Sequence, residues 1–328
     1  MRELIVAPMA GGPSTPALVD AAARAGALGF LAAGYKAPGE VEAELREVGS
    51  IAHGLNIFVP VPPPADPGPL EEYRRALAPE AARYEVELPA LRLGDDDHFA
   101  AKVELAVAYR VPVVSFTFGV PDPAVIRALH DAGSTVLITV TSASEAQAAV
   151  AAGPDALIAQ AGAAGGHAAT TSPAGYTGQT DAVQILGQVR AVTDLPVVAA
   201  GGATTAEQVR AVLAAGAAAV QCGTAFLLAD EAGTRPAQRA AILSGEFTET
   251  VVTRAFTGQP ARGLRNRFID AYSAIAPIGY PAVHHLTAPI RAAAARRGDA
   301  GALNLWAGTG FRDVTAGPAA ELIGRLTG

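Results

Sequence analysis

The apolar positions of the chain fall into short, nearly unbroken runs, separated by longer stretches with helical spacing. Four segments repeat one pattern. Ser14 to Leu31, Pro123 to Val140, Ser142 to Gln160 and Thr204 to Cys222 each open as a helix, reach an Ala-Gly pair and end in an apolar strand. A Ser or Thr near the helix start offers a side-chain oxygen to N–H groups that lack partners. The glycine accepts the left-handed backbone that ends a helix. A strand apolar on both faces is covered on both faces, as in a parallel sheet. Repeated strand–helix units of this length therefore predict parallel βαβ topology.

The predicted strands are Leu4–Ala7, Gly29–Ala32, Leu55–Phe58, Val113–Phe116, Val136–Thr139, Ala156–Ala159, Val197–Ala200 and Ala219–Gln221. An open doubly wound sheet has the same local pattern. The number of units and the placement of two glycine loops favour closure into an α/β (β/α)8 TIM barrel. Two segments depart from the repeat. Between Val59 and Leu70, Pro60, Pro62, Pro63, Pro64, Pro67 and Pro69 exclude a helix or central strand. That stretch reads as a long loop, followed by a helix from Leu70 to about Tyr84. Glu231 to Asp299 has helical stretches, no strong strand and many of the arginines. It reads as a helical insertion after strand eight, residues 231–299, covering the mouth of a barrel formed by 1–230 and completed by 300–328. Ala319 to Leu326 reads as a closing helix.

Composition narrows the function. Of 328 residues, 50% are hydrophobic, enough for a large core, while aromatics are 5%. Lys and Arg total 24 against 31 Asp and Glu, a net charge of −7 with no basic stripe. Nucleic acid binding needs clustered cations and is not expected. The only lysines, Lys36 and Lys102, fall in a loop and in a helical stretch, which disfavours Schiff-base chemistry. Cys222 is the only cysteine, so no internal disulfide forms, which fits a reducing, cytoplasmic setting. No segment reads as a signal peptide or a membrane span. No HExxH or CxxC pattern indicates a metal.

In such barrels the chemistry sits just beyond the strands' C-terminal ends. After strand one come Ala7-Pro8-Met9-Ala10-Gly11-Gly12, where small residues let a flat ligand approach the backbone. Asn56 lies inside an apolar strand and needs partners, either a ligand or a neighbouring loop. After strand six, Gln160-Ala161-Gly162-Ala163-Ala164-Gly165-Gly166-His167 leads a histidine out of a stretch with no bulky shield. Histidine can donate or accept a proton near neutral pH, so His167 is the candidate catalytic residue. Gly201-Gly202 and Gln221-Cys222-Gly223-Thr224 follow strands seven and eight, where barrels place a phosphate. Cys222 reads as a buried filler. His53, His98 and His130 read as surface histidines, and the adjacent His284 and His285 as pointing apart on a helix. Arg262, Arg265 and Arg267 read either as an anion-contacting lid or as a solvated face.

Taken together, these pieces resemble the nitronate monooxygenase family, formerly called 2-nitropropane dioxygenases. The resemblance rests on Ala7-Pro8-Met9-Ala10-Gly11, Asn56, Ala164-Gly165-Gly166-His167, Ala200-Gly201-Gly202 and Gln221-Cys222-Gly223-Thr224. It also rests on the run from Phe256 to Asn266 and on Leu305-Trp306-Ala307-Gly308. It implies a non-covalent FMN contacted by Ala7, Pro8, Met9, Asn56, Gln160, Gly165, Gly201, Gly202, Gln221, Gly223 and Thr224. It implies further that His167 faces the flavin's reactive edge, that the substrate is a small alkyl nitronate oxidised with O2, and that no nucleic acid or membrane partner is needed. A homodimer is the assembly to be tested. The alternative is an FMN-dependent enoyl or quinone reductase using NAD(P)H, since that flavin-barrel group shares the Ala-Gly-Gly-His stretch. This chain departs from the family pattern at Ala168-Ala169, where a Gly usually follows the histidine. It departs again at Gln259, which replaces an Arg, and at Thr309, where Gln is common.

Overall fold

The computed structural model describes residues 3–328. Nine of its strands run in chain order as β1 (Leu4–Val6), β2 (Leu28–Ala32), β3 (His53–Phe58), β4 (Val113–Thr117), β5 (Thr135–Val140), β6 (Ala156–Gln160), β7 (Gly166–His167), β8 (Val197–Ala200) and β9 (Ala219–Cys222). All of these except β7 form a closed parallel barrel in the order β1-β2-β3-β4-β5-β6-β8-β9. Closure is the pairing of β1 with β9, which aligns Ile5 with Gln221. The eight strands expected from the apolar runs are thus the eight staves.

Nine helices join the staves on the outside and follow the predicted pattern. They are α1 (Pro16–Arg24), α2 (Pro38–Val48), α3 (Gly68–Ala76), α4 (Ala78–Tyr84), α5 (Phe99–Ala108), α6 (Pro123–Ala132), α7 (Ala143–Val150) and α8 (Ala182–Arg190), with α9 (Ala206–Ala214) after β8. Thr15, Ser142 and Thr205 cap α1, α7 and α9 through their hydroxyls, and Gly133 ends α6 at φ 91°. The helix expected over 70–84 is two helices, broken at Leu77. Pro79 enters there and cannot donate an N–H to continue the first helix.

The core lies in two shells. Ile5, Phe30, Leu137, Ile158 and Val198 fill the barrel, and Gly54 leaves the room that the Phe30 ring occupies. Leu31, Leu55, Val114, Leu157 and Val220 face outward against the helices. Burying each such side chain contributes about 1.5–3 kcal/mol, so this double shell is the main source of rigidity.

Residues 231–299 carry α10 (Pro236–Leu243), α11 (Arg267–Tyr272) and α12 (Ala282–Arg296), but also a hairpin that the pattern does not announce. Its strands, β10 (Thr250–Thr253) and β11 (Ala261–Leu264), pair antiparallel, and β11 pairs in turn with β7. Ala261-Arg262-Gly263-Leu264 has no strand-like alternation. It is held in place by partners distant in sequence, including Trp306 opposite Gly263. The segment packs its own apolar layer, with Tyr73, Phe256, Phe268 and Ile290 at its centre. After it, α13 (Ala319–Thr327) closes the chain against α1 and α9. Among the described residues no helix is long and apolar enough to cross a membrane, and no group of acidic, His or Cys side chains could hold a metal.

Candidate active site

The C-terminal ends of the staves open on a cavity of about 300 Å³, which residues of the 231–299 segment, the cap, also line. Ala7, Pro8, Met9, Asn56, Gln160, Gly165, His167, Gly201, Gly202, Gln221, Gly223 and Thr224 all border it. The side chains then divide by what they already hold. Asn56 accepts from Ser115 Oγ at 2.8 Å and Thr117 Oγ1 at 3.0 Å through Oδ1, which leaves its amide NH2 to donate to a ligand. Gln160 is committed to its own loop: Nε2 donates to His167 O at 3.0 Å and Oε1 accepts from Ala169 N at 2.7 Å. Gln221 Oε1 is buried and accepts nothing. Such an orphaned acceptor is costly unless a ligand supplies a donor.

Two loops are shaped for an anion. Gly201 has φ 103°, and a Cβ there would strike the backbone of Ala164, so only glycine fits. At Gly223 a Cβ would meet Ala7 and Met9 only in ordinary contact. Among the described residues, the N–H groups of Gly202, Gly223 and Thr224 donate to no acceptor within the chain. Thr224 Oγ1 accepts from Gly308 N at 2.9 Å, which ties the loop to the C-terminal segment.

His167 stands in the wall of this cavity. Its backbone is held by β11, where Ala261 is its partner. Its Nε2 lies 3.0 Å from Thr257 Oγ1, so Nδ1 is the nitrogen left for a ligand. The ring is surrounded by Phe118 at 5.6 Å, Tyr280 at 5.8 Å and Trp306 at 5.5 Å between centroids. Burial, and then the charge of Arg291, push its pKa down to about 3. The imidazole is therefore neutral at physiological pH. Cys222 is buried and its thiol is pushed up to about 12 by burial, in keeping with a filler.

Several residues at the cavity carried no signal in the sequence. Tyr35 holds a left-handed backbone at φ 70°, and its ring stacks on His284 at 4.2 Å. Bulky residues rarely adopt that conformation, and it persists where surroundings enforce it. His284 and His285 do not diverge as expected; their rings lie 5.4 Å apart. His284 borders the cavity, while His285 pairs with Asp95 at 2.7 Å. His98 and His130 are exposed as expected, but His53 is buried within β3 with Nδ1 2.7 Å from Ile51 O. Arg262, Arg265 and Arg267 do not border the cavity. Arg262 donates to Gly162 O and Gly178 O, Arg265 pairs with Glu249 and Asp270, and Arg267 pairs with Glu80. Among the described residues, the arginines that do border the cavity are Arg235 and Arg291. Gln259 donates from Nε2 to Ala168 O at 3.0 Å and Thr170 O at 2.9 Å, fastening the chain just after His167.

A closed (β/α)8 barrel whose last two strand ends present unpaired glycine N–H groups, with a neutral histidine in the same cavity, has the layout of a barrel enzyme. The family model for nitronate monooxygenase matches residues 1–328, and the chain belongs to that family. Its members are generally flavin-dependent oxidoreductases. The chain is similar to a probable nitronate monooxygenase of Staphylococcus aureus (strain MSSA476), with 34% identity over 98% of this chain and 92% of the relative. It is also similar to the crystal structure of a nitroalkane oxidase from Streptomyces ansochromogenes. There the identity is 46% and the TM-score 0.94, over 99% of this chain and 94% of that one. FabK from Thermotoga maritima is more distant, at 25% identity and a TM-score of 0.73 over 99% and 91% of the two chains.

Proposed function

We propose that this protein is an FMN-dependent nitronate monooxygenase that oxidises small alkyl nitronates with O2. The observation that carries the reading is the cavity itself: unpaired N–H groups of Gly202, Gly223 and Thr224 share it with His167 and with two arginines. The residues present fit FMN. Those three N–H groups would hold its phosphate. The orphaned Gln221 Oε1 would take the ring N–H, and the free amide NH2 of Asn56 would donate to a ring acceptor. The small residues Ala7, Pro8 and Gly165 would leave space for a flat ring system. When bound, FMN supplies the redox chemistry, and the protein supplies binding and orientation.

His167 has a definite part in this reading. An imidazole whose pKa is about 3 is a weak base, far from the near-neutral value that suits proton abstraction from carbon. With Thr257 at Nε2, it acts instead as a neutral hydrogen-bond partner that orients a substrate oxygen through Nδ1. A nitronate is already deprotonated at carbon and needs no base. This favours nitronates over neutral nitroalkanes.

The test is a visible spectrum of the purified protein, followed by mixing with propyl nitronate in air while O2 is recorded. A flavin spectrum with nitronate-dependent O2 uptake supports the reading. Flavin without uptake, together with anaerobic consumption of NAD(P)H, replaces it with a reductase. Failure to bind added FMN overturns the cofactor assignment.

A further inference from the structure

Among the described residues no carboxylate borders the cavity, yet the guanidinium groups of Arg235 and Arg291 do. The partners of both are neutral. Arg291 donates Nε to Thr287 Oγ1 at 3.1 Å and Nη2 to His284 O at 2.8 Å. Arg235 donates Nη2 to Asn304 Oδ1 at 3.1 Å. Nη1 of Arg291 meets no acceptor among the described residues. A guanidinium removed from bulk water without a counter-charge is costly, and the cost is relieved when an anion binds. Burial pushes the Arg291 pKa down to about 10, so the group remains charged at neutral pH. Its field reaches the imidazoles of both His167 and His284.

We propose that Arg291 is an oxyanion anchor. Its unpaired Nη1, together with Nδ1 of His167, receives the oxygens of a planar substrate anion. The anchor selects nitronates, and nitrate or small carboxylates as mimics, over neutral nitroalkanes. Arg235 adds a second positive charge to the same cavity and strengthens the preference. The proposal deepens the nitronate reading and rests on it for the identity of the substrate. Arg291 sits on the cap, whereas the glycine N–H groups belong to the barrel, so substrate and phosphate are gripped by different parts of the chain.

The experiment titrates the flavin-loaded protein with sodium nitrate by calorimetry, in the wild type, Arg291→Gln and Arg291→Lys. KM is then measured for propyl nitronate, and the inhibition constant for neutral 1-nitropropane. The wild type is expected to bind nitrate, and Arg291→Gln to weaken it about ten- to a hundredfold. Arg291→Lys falls between them, KM for nitronate rises in parallel, and flavin content is unchanged. Unaltered nitrate affinity in Arg291→Gln overturns the proposal. So does loss of flavin with nitrate affinity retained, which would assign Arg291 to the cofactor. If Arg291→Gln does not fold, the wild type still decides: 1-nitropropane binding as tightly as nitrate removes the selectivity. Nitrate binding that depends on Arg291, without O2 uptake on nitronate, leaves the anchor standing and overturns only the proposed reaction.

Discussion

Nε2 of His167 and Oγ1 of Thr257 lie 3.0 Å apart, and this contact joins a loop of the barrel to the cap. With the Thr257 hydroxyl donating to Nε2, Nδ1 carries the ring's hydrogen, and Thr257 Oγ1 still accepts from Gln259 N at 3.4 Å, so one small side chain holds both the ring and the turn behind it. Thr257→Val keeps the shape and removes the hydroxyl. We expect kcat on propyl nitronate to fall about tenfold, the equivalent of one hydrogen bond, with flavin content unchanged. Thr257→Ser should restore it. Equal kcat in the valine and serine variants would show that the ring needs no tether.

The acid side of the stability profile follows from the histidines. His167 and His284 both have pKa values below the ordinary value, each mainly through burial, whereas in the unfolded chain they titrate near 6.5. As pH falls below about 6.5, the unfolded state takes up protons that the folded state refuses. Stability is then lost at up to about 1.4 kcal/mol per pH unit for each histidine. For His167 the loss continues to about pH 3. Melting temperatures between pH 7.5 and 4.5 should therefore decline, and His167→Asn should decline less steeply. Identical slopes would mean that His167 titrates normally.

The proposed phosphate loop can be tested apart from turnover. Gly202 has φ 80°, and an added Cβ would sit 3.1 Å from Ala163 Cβ. Gly202→Val imposes a left-handed conformation that costs about 1–2 kcal/mol and moves the N–H. FMN affinity, followed by quenching of flavin fluorescence, should weaken about tenfold or more while the barrel still folds. Undiminished affinity would place the phosphate elsewhere.

A half-buried ion pair helps to hold the cap. Glu80 is 5% exposed and accepts Arg267 Nη1 at 2.8 Å and Nη2 at 2.6 Å, which binds α4 to α11. Arg267 is 35% exposed, so removing Glu80 leaves a partly hydrated guanidinium, at a cost of about 1–3 kcal/mol. Glu80→Ala should lower the melting temperature by several degrees and raise protease sensitivity within 231–299. A melting temperature equal to the wild type's would show that the pair is dispensable.

The barrel was legible because its staves are covered on both faces, so each appears as an uninterrupted apolar run bounded by a helix-ending glycine. Gly201, Gly202 and Gly223 were legible for a related reason: their position in the repeat assigns them to the strand ends. Tyr35, His284 and Arg291 were not, because their roles come from contacts across the chain. Tyr35 and His284 meet over nearly 250 residues of sequence. The hairpin β10–β11 was missed because Ala261-Arg262-Gly263-Leu264 extends only when β7 and Trp306 supply its partners. Gln160 gave half its meaning: its position at the cavity followed from the strand, but its commitment to the His167 loop did not. Gln259 departs from the family pattern, yet its amide fastens the two carbonyls beyond His167.

Because β7, β11 and β10 form one sheet, the cap cannot swing away like a door without tearing Ala261 from His167. Such a movement would dismantle the histidine's support on every turnover. A visitor therefore has to enter and leave while that sheet stays whole. The protein trades a sealed chamber for a fixed geometry that is ready before its visitor arrives.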